Sequence, residues 1–254
     1  MIQAGIEPEE VSLDLSSATG PDFPVDEANR LISATLELEK SLGRLPLRKD
    51  GAYYAALGKA LDSHMTDVYA AYDAYVAAAL KSEDRKVTCK KGCSGCCRHF
   101  VDSVEPFELM AIHLAIRRDP RYPDLLVAFH RRASLFENLR REAGEGEEAD
   151  DKALYRYFLR GAACPFLAAD GACGIYADRP MSCRMFFSES APRFCSGSAI
   201  ATPWNRNFHV ELPQEAERAL AYCSAQLGSL DLPEGLFPGL LAANALFGRY
   251  DGDA

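Results

Sequence analysis

Eight of the nine cysteines crowd into two short segments, four at positions 89–97 and four at positions 164–195. A chain that spends its cysteines this way must fold so that loops and turns bring sulfur together. Closely spaced thiols in a chain without secretory features point to metal ligands or redox chemistry before disulfides. The odd total also suits a disulfide framework poorly. Cys223 stands apart, at helical spacing from Ala219, Leu220 and Leu227, and reads as a core thiol.

The first segment runs Cys89-Lys90-Lys91-Gly92-Cys93-Ser94-Gly95-Cys96-Cys97-Arg98-His99. Cys93 and Cys96 have the two-residue gap of a metal knuckle, in which the chain turns back and both thiolates face one ion. Gly95 permits that tight turn. A helix starting within residues 94–99 would add its positive end, and Lys90, Lys91 and Arg98 would favour thiolates in the same way. Cys96 and Cys97 are adjacent, and on a helix their side chains diverge by about 100°. Either one serves a second metal or cluster, or one is spare. The Cys89-x3-Cys93-x2-Cys96 spacing also occurs in radical S-adenosylmethionine enzymes, but the repeated β/α pattern of their partial barrel is not present.

In the second segment, Cys164-Pro165-Phe166-Leu167 and Cys173-Gly174-Ile175-Tyr176 flank Asp170-Gly171, a strong turn dipeptide. A hairpin with a four-residue loop would set Phe166 opposite Cys173. Cys164 would share a face with Cys173, roughly 7 Å away along the strand. Pro180 suits the first turn of a helix that presents Cys183 near a positive end. Arg179 and Arg184 can offset the charge of several thiolates and are taken as cofactor-binding residues. Cys195 closes the segment.

The remaining sequence reads as helices. Residues 1–25 carry no periodicity and are expected to be a loose tail. Asp26 can cap a helix through Leu31, Ile32, Leu36 and Leu42 that ends at Gly43. Tyr53, Leu57, Leu61, Met65, Val68, Tyr72, Tyr75, Val76, Ala79 and Leu80 then make one apolar stripe of a long helix, with His64 packing beside it. Pro106 and Pro123 each open a further helix. Residues 144–151 are an acidic linker before a short helix at 154–159, and amphipathic helices at 213–227 and 233–250 close the chain. The domain plan is therefore N-terminal helices over 26–84, a cysteine-cluster domain over 85–200 with a helical insertion at 105–160, and C-terminal helices over 201–254. The fold class is mainly α, with helices packed around a small irregular cysteine-rich metal-binding core that carries a short β-hairpin.

Charge and hydropathy narrow the partners. A net charge of −9 argues against nucleic acid, which needs a clustered basic surface. No apolar run approaches the roughly 20 residues of a spanning helix, and the N-terminus lacks a basic and apolar leader, so a cytoplasmic protein is expected.

Together the two segments resemble the YkgJ-like cysteine-cluster family, described as chelating zinc or iron. The matching residues are Cys89, Cys93, Cys96 and Cys97, then Cys164-Pro165-Phe166-Leu167, Asp170-Gly171-x-Cys173-x-Ile175-Tyr176, Arg179-Pro180-x-x-Cys183-Arg184 and Cys195-x-Gly197. The family includes flagellin lysine methylases, in which an iron–sulfur cluster is implicated. The resemblance implies a metal site on Cys89, Cys93, Cys96, Cys97, Cys164, Cys173, Cys183 and Cys195, holding an iron–sulfur cluster in preference to zinc. Two other readings stay open: a cluster-dependent methyl-transfer enzyme using S-adenosylmethionine, and a thiol redox switch. The enzyme reading lacks a Gly-x-Gly-x-x-Gly nucleotide signature.

Overall fold

A computed structural model describes residues 23–82, 86–90, 92–195 and 206–249. The expected loose tail lies outside the described residues except at its last three positions. Eight α-helices are found among them, and one two-stranded antiparallel sheet.

The N-terminal helices follow from their apolar spacing. α1 (Val25–Leu42) buries Ala28, Leu31, Ile32, Leu38 and Leu42 on one face. It begins one residue before Asp26, which therefore sits in the first turn with Glu27, where the helix dipole favours acids. Leu36 points away and is exposed. α2 (Gly51–Ser82) is capped by Asp50, whose Oδ1 accepts the Ala52 N–H at 3.1 Å. Its 32 residues make a rod of about 48 Å. Nine of the ten stripe residues are buried and Leu80 is half-buried. α1 packs on α2 and on α7 (Gln214–Leu227).

A second group of helices makes a separate core. It consists of α3 (Pro106–Ile116), α4 (Tyr122–Ala143), α5 (Glu147–Leu159) and α8 (Leu236–Gly248). α3 and α8 are apolar on more than one side and divide the two cores. Phe107 and Met110 of α3, with Ala243 and Phe247 of α8, face the first core. Leu109 and Ile112, with Leu236, Phe237 and Leu240, face the second. α5 starts at Glu147, so five of the eight residues of the expected acidic linker are helix. Acids suit a helix's first turn, Ala149 is buried beneath it, and Asp150 pairs with Arg140 of α4 at 2.6 Å.

The cysteine segments lie at the seam of these cores. Phe100, just past the first segment, stacks on Phe136 with ring centroids 3.8 Å apart. Phe166 of the second segment packs 5.3 Å from Phe129. Both rings belong to the second core. Met181 belongs to the first, with Phe187 and Phe208 packed against it. Those two rings sit opposite each other in the sheet formed by β1 (Phe186–Ser188) and β2 (Asn207–His209), strands too short to announce themselves by alternation. No helix among the described residues is long and apolar enough to cross a membrane.

Candidate metal centre

The first cysteine segment is a chain of tight turns. Gly92 has φ +85°, and the Cys93 N–H donates to the Lys90 carbonyl at 2.9 Å. The expected helix over 94–99 is only a 3-10 turn, Cys96–Arg98, closed by the His99 N–H on the Cys96 carbonyl at 3.1 Å. One such turn carries little dipole, so the expected help from a helix end is absent here. Arg98 donates to the Gly161 carbonyl at 2.7 Å, and His99 stacks on Phe158 at 4.2 Å. Both therefore anchor the segment. Lys91 lies outside the described residues.

In the second segment the hairpin exists as a single bridge, and its register differs from expectation by one residue. Leu167, not Phe166, stands opposite Cys173. The loop is three residues long rather than four. The Gly171 N–H closes a turn on the Ala168 carbonyl at 3.0 Å, Asp170 Oδ1 accepts the Ala172 N–H at 3.0 Å, and Gly171 takes φ +80°. This is the turn-plus-glycine loop that competes with the longer one. Phe166 is thereby released to the second core. Further on, Cys183 lies in the one-turn helix α6 (Met181–Arg184), after Pro180. Cys195 ends a 3-10 turn and is buried.

The two segments touch through backbone. The Cys164 N–H donates to the Cys97 carbonyl at 2.7 Å. A Cβ on Gly171 would stand 2.8 Å from the Gly92 carbonyl oxygen, and one on Gly95 would stand 2.8 Å from Cys195 Cβ. Only glycine allows either approach. The Thr88 N–H and hydroxyl both donate to the Ser188 carbonyl, at 2.9 and 3.0 Å, and the hydroxyl also reaches Ser190. Residues far apart in sequence are thus locked side by side by main chain and by glycine.

Electrostatics shows which thiols share space. Burial raises the Cys89 pKa, a backbone hydrogen bond from Ser188 opposes it, and Cys93, Cys96 and Cys195 raise it further. Cys96 is pushed up first by its hydrogen bond with the Cys97 thiol. As a residue Cys96 is exposed, so that contact explains the shift better than burial does. Burial pushes Cys164 up to about 11, with Cys173 and Cys96 adding to it. Cys183 rises by burial and by the charges of Cys164 and Cys96, while Arg179 pulls it back. Cys96 is therefore the thiol whose charge is felt in both segments, by Cys89 of the first and by Cys164 and Cys183 of the second. Cys223 is not among them: its pKa rises to about 12 through burial in α7, and its charged neighbours are Glu39 and Glu105.

The two arginines differ. Arg184 is buried, with its Nη1 2.6 Å from Asp73 of α2 and its Nε donating to the Arg179 carbonyl at 2.6 Å. Its Nη2 donates to the carbonyls of Tyr176 and Ala177. The guanidinium also lies 4.3 Å above the Tyr69 ring. Arg179 lies 4.6 Å above the Tyr176 ring, and its buried Nε has no partner among the described residues.

Sequence reading missed the support behind Cys183. Glu108 Oε1 accepts the Met181 N–H at 2.7 Å and the Tyr69 hydroxyl at 3.2 Å. Its signal was present as one acid in the apolar run Pro106-Phe107-Glu108-Leu109-Met110.

With eight thiols on two interlocked segments, the donor set suits a thiophilic metal. Residues 88–198 match the CxxCxxCC family model. Its description is "Putative zinc- or iron-chelating domain", and the match spans all eight clustered cysteines and excludes Cys223. Comparison with curated proteins and with solved structures returns no match. The CxxCxxCC match fits the donor chemistry, while among the described residues no three His, Cys, Asp or Glu side chains already stand in ion-holding positions. Protonated thiols have no reason to converge. Losing their protons to a metal would supply one.

Proposed function

We propose that this is a cytoplasmic metal-binding protein whose eight motif cysteines hold an iron–sulfur cluster in preference to zinc. The observation that carries this reading is the backbone lock between Cys97 and Cys164, with the glycine contacts at Gly171 and Gly95, because it joins two thiol-rich segments independently of any side-chain rotamer. The influence of Cys96 on thiols of both segments supports a cluster. Its iron atoms spread over a larger core than a single ion and accept thiolates arriving from separated directions. Arg179 contributes charge beside Cys96 and Cys183, and Arg184 contributes by holding the backbone that carries them. The contact between the Cys96 and Cys97 thiols favours one second reading, a redox switch that cycles this pair.

Anaerobic purification with iron and sulfide supplied should yield brown protein. Replacing Cys93, Cys173 or Cys183 with Ala should lower bound metal, and Cys223→Ala should leave metal content unchanged. Colourless wild-type protein with stoichiometric zinc would decide against the cluster. Metal lost by Cys223→Ala but kept by Cys183→Ala would overturn the ligand set. Reversible thiol oxidation in protein without metal would favour the switch.

A further inference from the structure

Two donor atoms on the elements around Cys183 are buried, and no protein group among the described residues uses them. Tyr72 is 0% exposed, and its hydroxyl has no hydrogen-bond partner. The Nε of Arg179 is likewise buried and without a partner, although the residue as a whole is half-buried. An unpaired buried polar atom is costly, so natural proteins keep few of them and each asks for a reason.

The two donors lie on elements that meet beside Cys183: Asp73, next to Tyr72, pairs with Arg184, next to Cys183, at 2.6 Å. α2, which carries Tyr72, packs on the 3-10 turn Tyr176–Asp178 that immediately precedes Arg179. The Arg179 charge acts on Tyr72 as well as on Cys96 and Cys183. Their counterparts are already engaged: the Tyr69 hydroxyl donates to Glu108, and Arg184 is spread over Asp73 and three carbonyls. Arg179 is also held in place. The Tyr176 ring lies under its guanidinium, and Arg184 clamps its carbonyl at 2.6 Å. A planar cation fixed from two sides loses little freedom when it takes up an acceptor.

We infer that the Tyr72 hydroxyl and the Arg179 Nε–H are hydrogen-bond donors to metal-bound sulfur, and so act as positioning residues for the centre around Cys183. This rests on the metal-binding reading above and adds a shell to it. Thiolates on a metal keep negative charge and accept such bonds. Outer partners of this kind typically change metal affinity by about 10–100-fold when removed.

The test uses the full chain purified anaerobically with its metal. Tyr72→Phe deletes one oxygen, Arg179→Met keeps length without charge, and Arg179→Lys restores the charge. Tyr53→Phe is the control, because its hydroxyl is equally buried and unpartnered but its only charged influence is Tyr54. Metal release to excess EDTA is followed by elemental analysis, beside melts of the metal-free proteins. Tyr72→Phe and Arg179→Met should release metal about tenfold faster or more, with Arg179→Lys partly rescued. Tyr53→Phe should release metal as wild type does, and the metal-free melt of Tyr72→Phe should lie at or above wild type, because the deleted hydroxyl is unpaired there. Wild-type release rates in both Tyr72→Phe and Arg179→Met overturn the inference. If Arg179→Met does not fold, Tyr72→Phe decides alone. Wild-type protein without metal would instead remove the metal-binding reading, and this inference with it.

Discussion

Glu108 shows how a single buried residue couples this region to pH. Its carboxyl is 1% exposed, and burial lifts its pKa from 4.5 to about 7 despite the hydrogen bonds from Met181, Glu105 and Tyr69. Between those values the folded protein keeps a proton that the unfolded chain has shed. Stability from this group is therefore intact below pH 4.5 and falls as pH rises toward 7. The total loss is about 3 kcal/mol, at about 1.4 kcal/mol per unit. Melts of metal-free protein at about pH 5 and about pH 7.5 should show wild type losing more stability than Glu108→Gln, by about 2.4 kcal/mol, since part of the total falls outside that window. Equal losses would mean that the carboxyl is not held protonated. The cysteines were legible in the sequence because thiol spacing is itself the signal. Tyr72 was legible only as core, since the helical period that places its ring says nothing about where its hydroxyl points.

At the scale of elements, the apolar period fixed the helices and local turn chemistry fixed the site. α2 and α3 lie where their stripes and Pro106 put them. The hairpin register could not be read, because Asp170-Gly171 serves a three-residue loop as well as a four-residue one, and the bond from the Ala172 N–H to Asp170 decides between them. Nor could the pairing of β1 with β2, whose three-residue strands carry no alternation. The glycine contacts lead to a prediction for the lock itself. Gly171→Ala adds the strain of positive φ, about 1–2 kcal/mol, and drives a methyl against the Gly92 carbonyl. Gly144→Ala is also strained by positive φ, at +105°, but has nothing within 4 Å. Both should lower the melting temperature in metal-free protein, but only Gly171→Ala should lower metal content. Equal metal retention in the two variants would show that the segments do not need this contact.

On the scale of the whole molecule, the cysteine segments are the seam of two hydrophobic cores. Phe100 and Phe166 commit both segments to one core, while Met181 commits the turn before Cys183 to the other. A metal at the seam would join loops far apart in sequence, so its binding free energy would become folding free energy. The central claim is that one sulfur-lined centre draws on both segments. X-ray absorption at the metal edge of anaerobically purified protein tests it most directly. The account predicts a first shell of sulfur alone, at about 2.3 Å, that loses sulfur both in Cys93→Ala and in Cys183→Ala. A shell of nitrogen and oxygen, or one unchanged by either substitution, would contradict it.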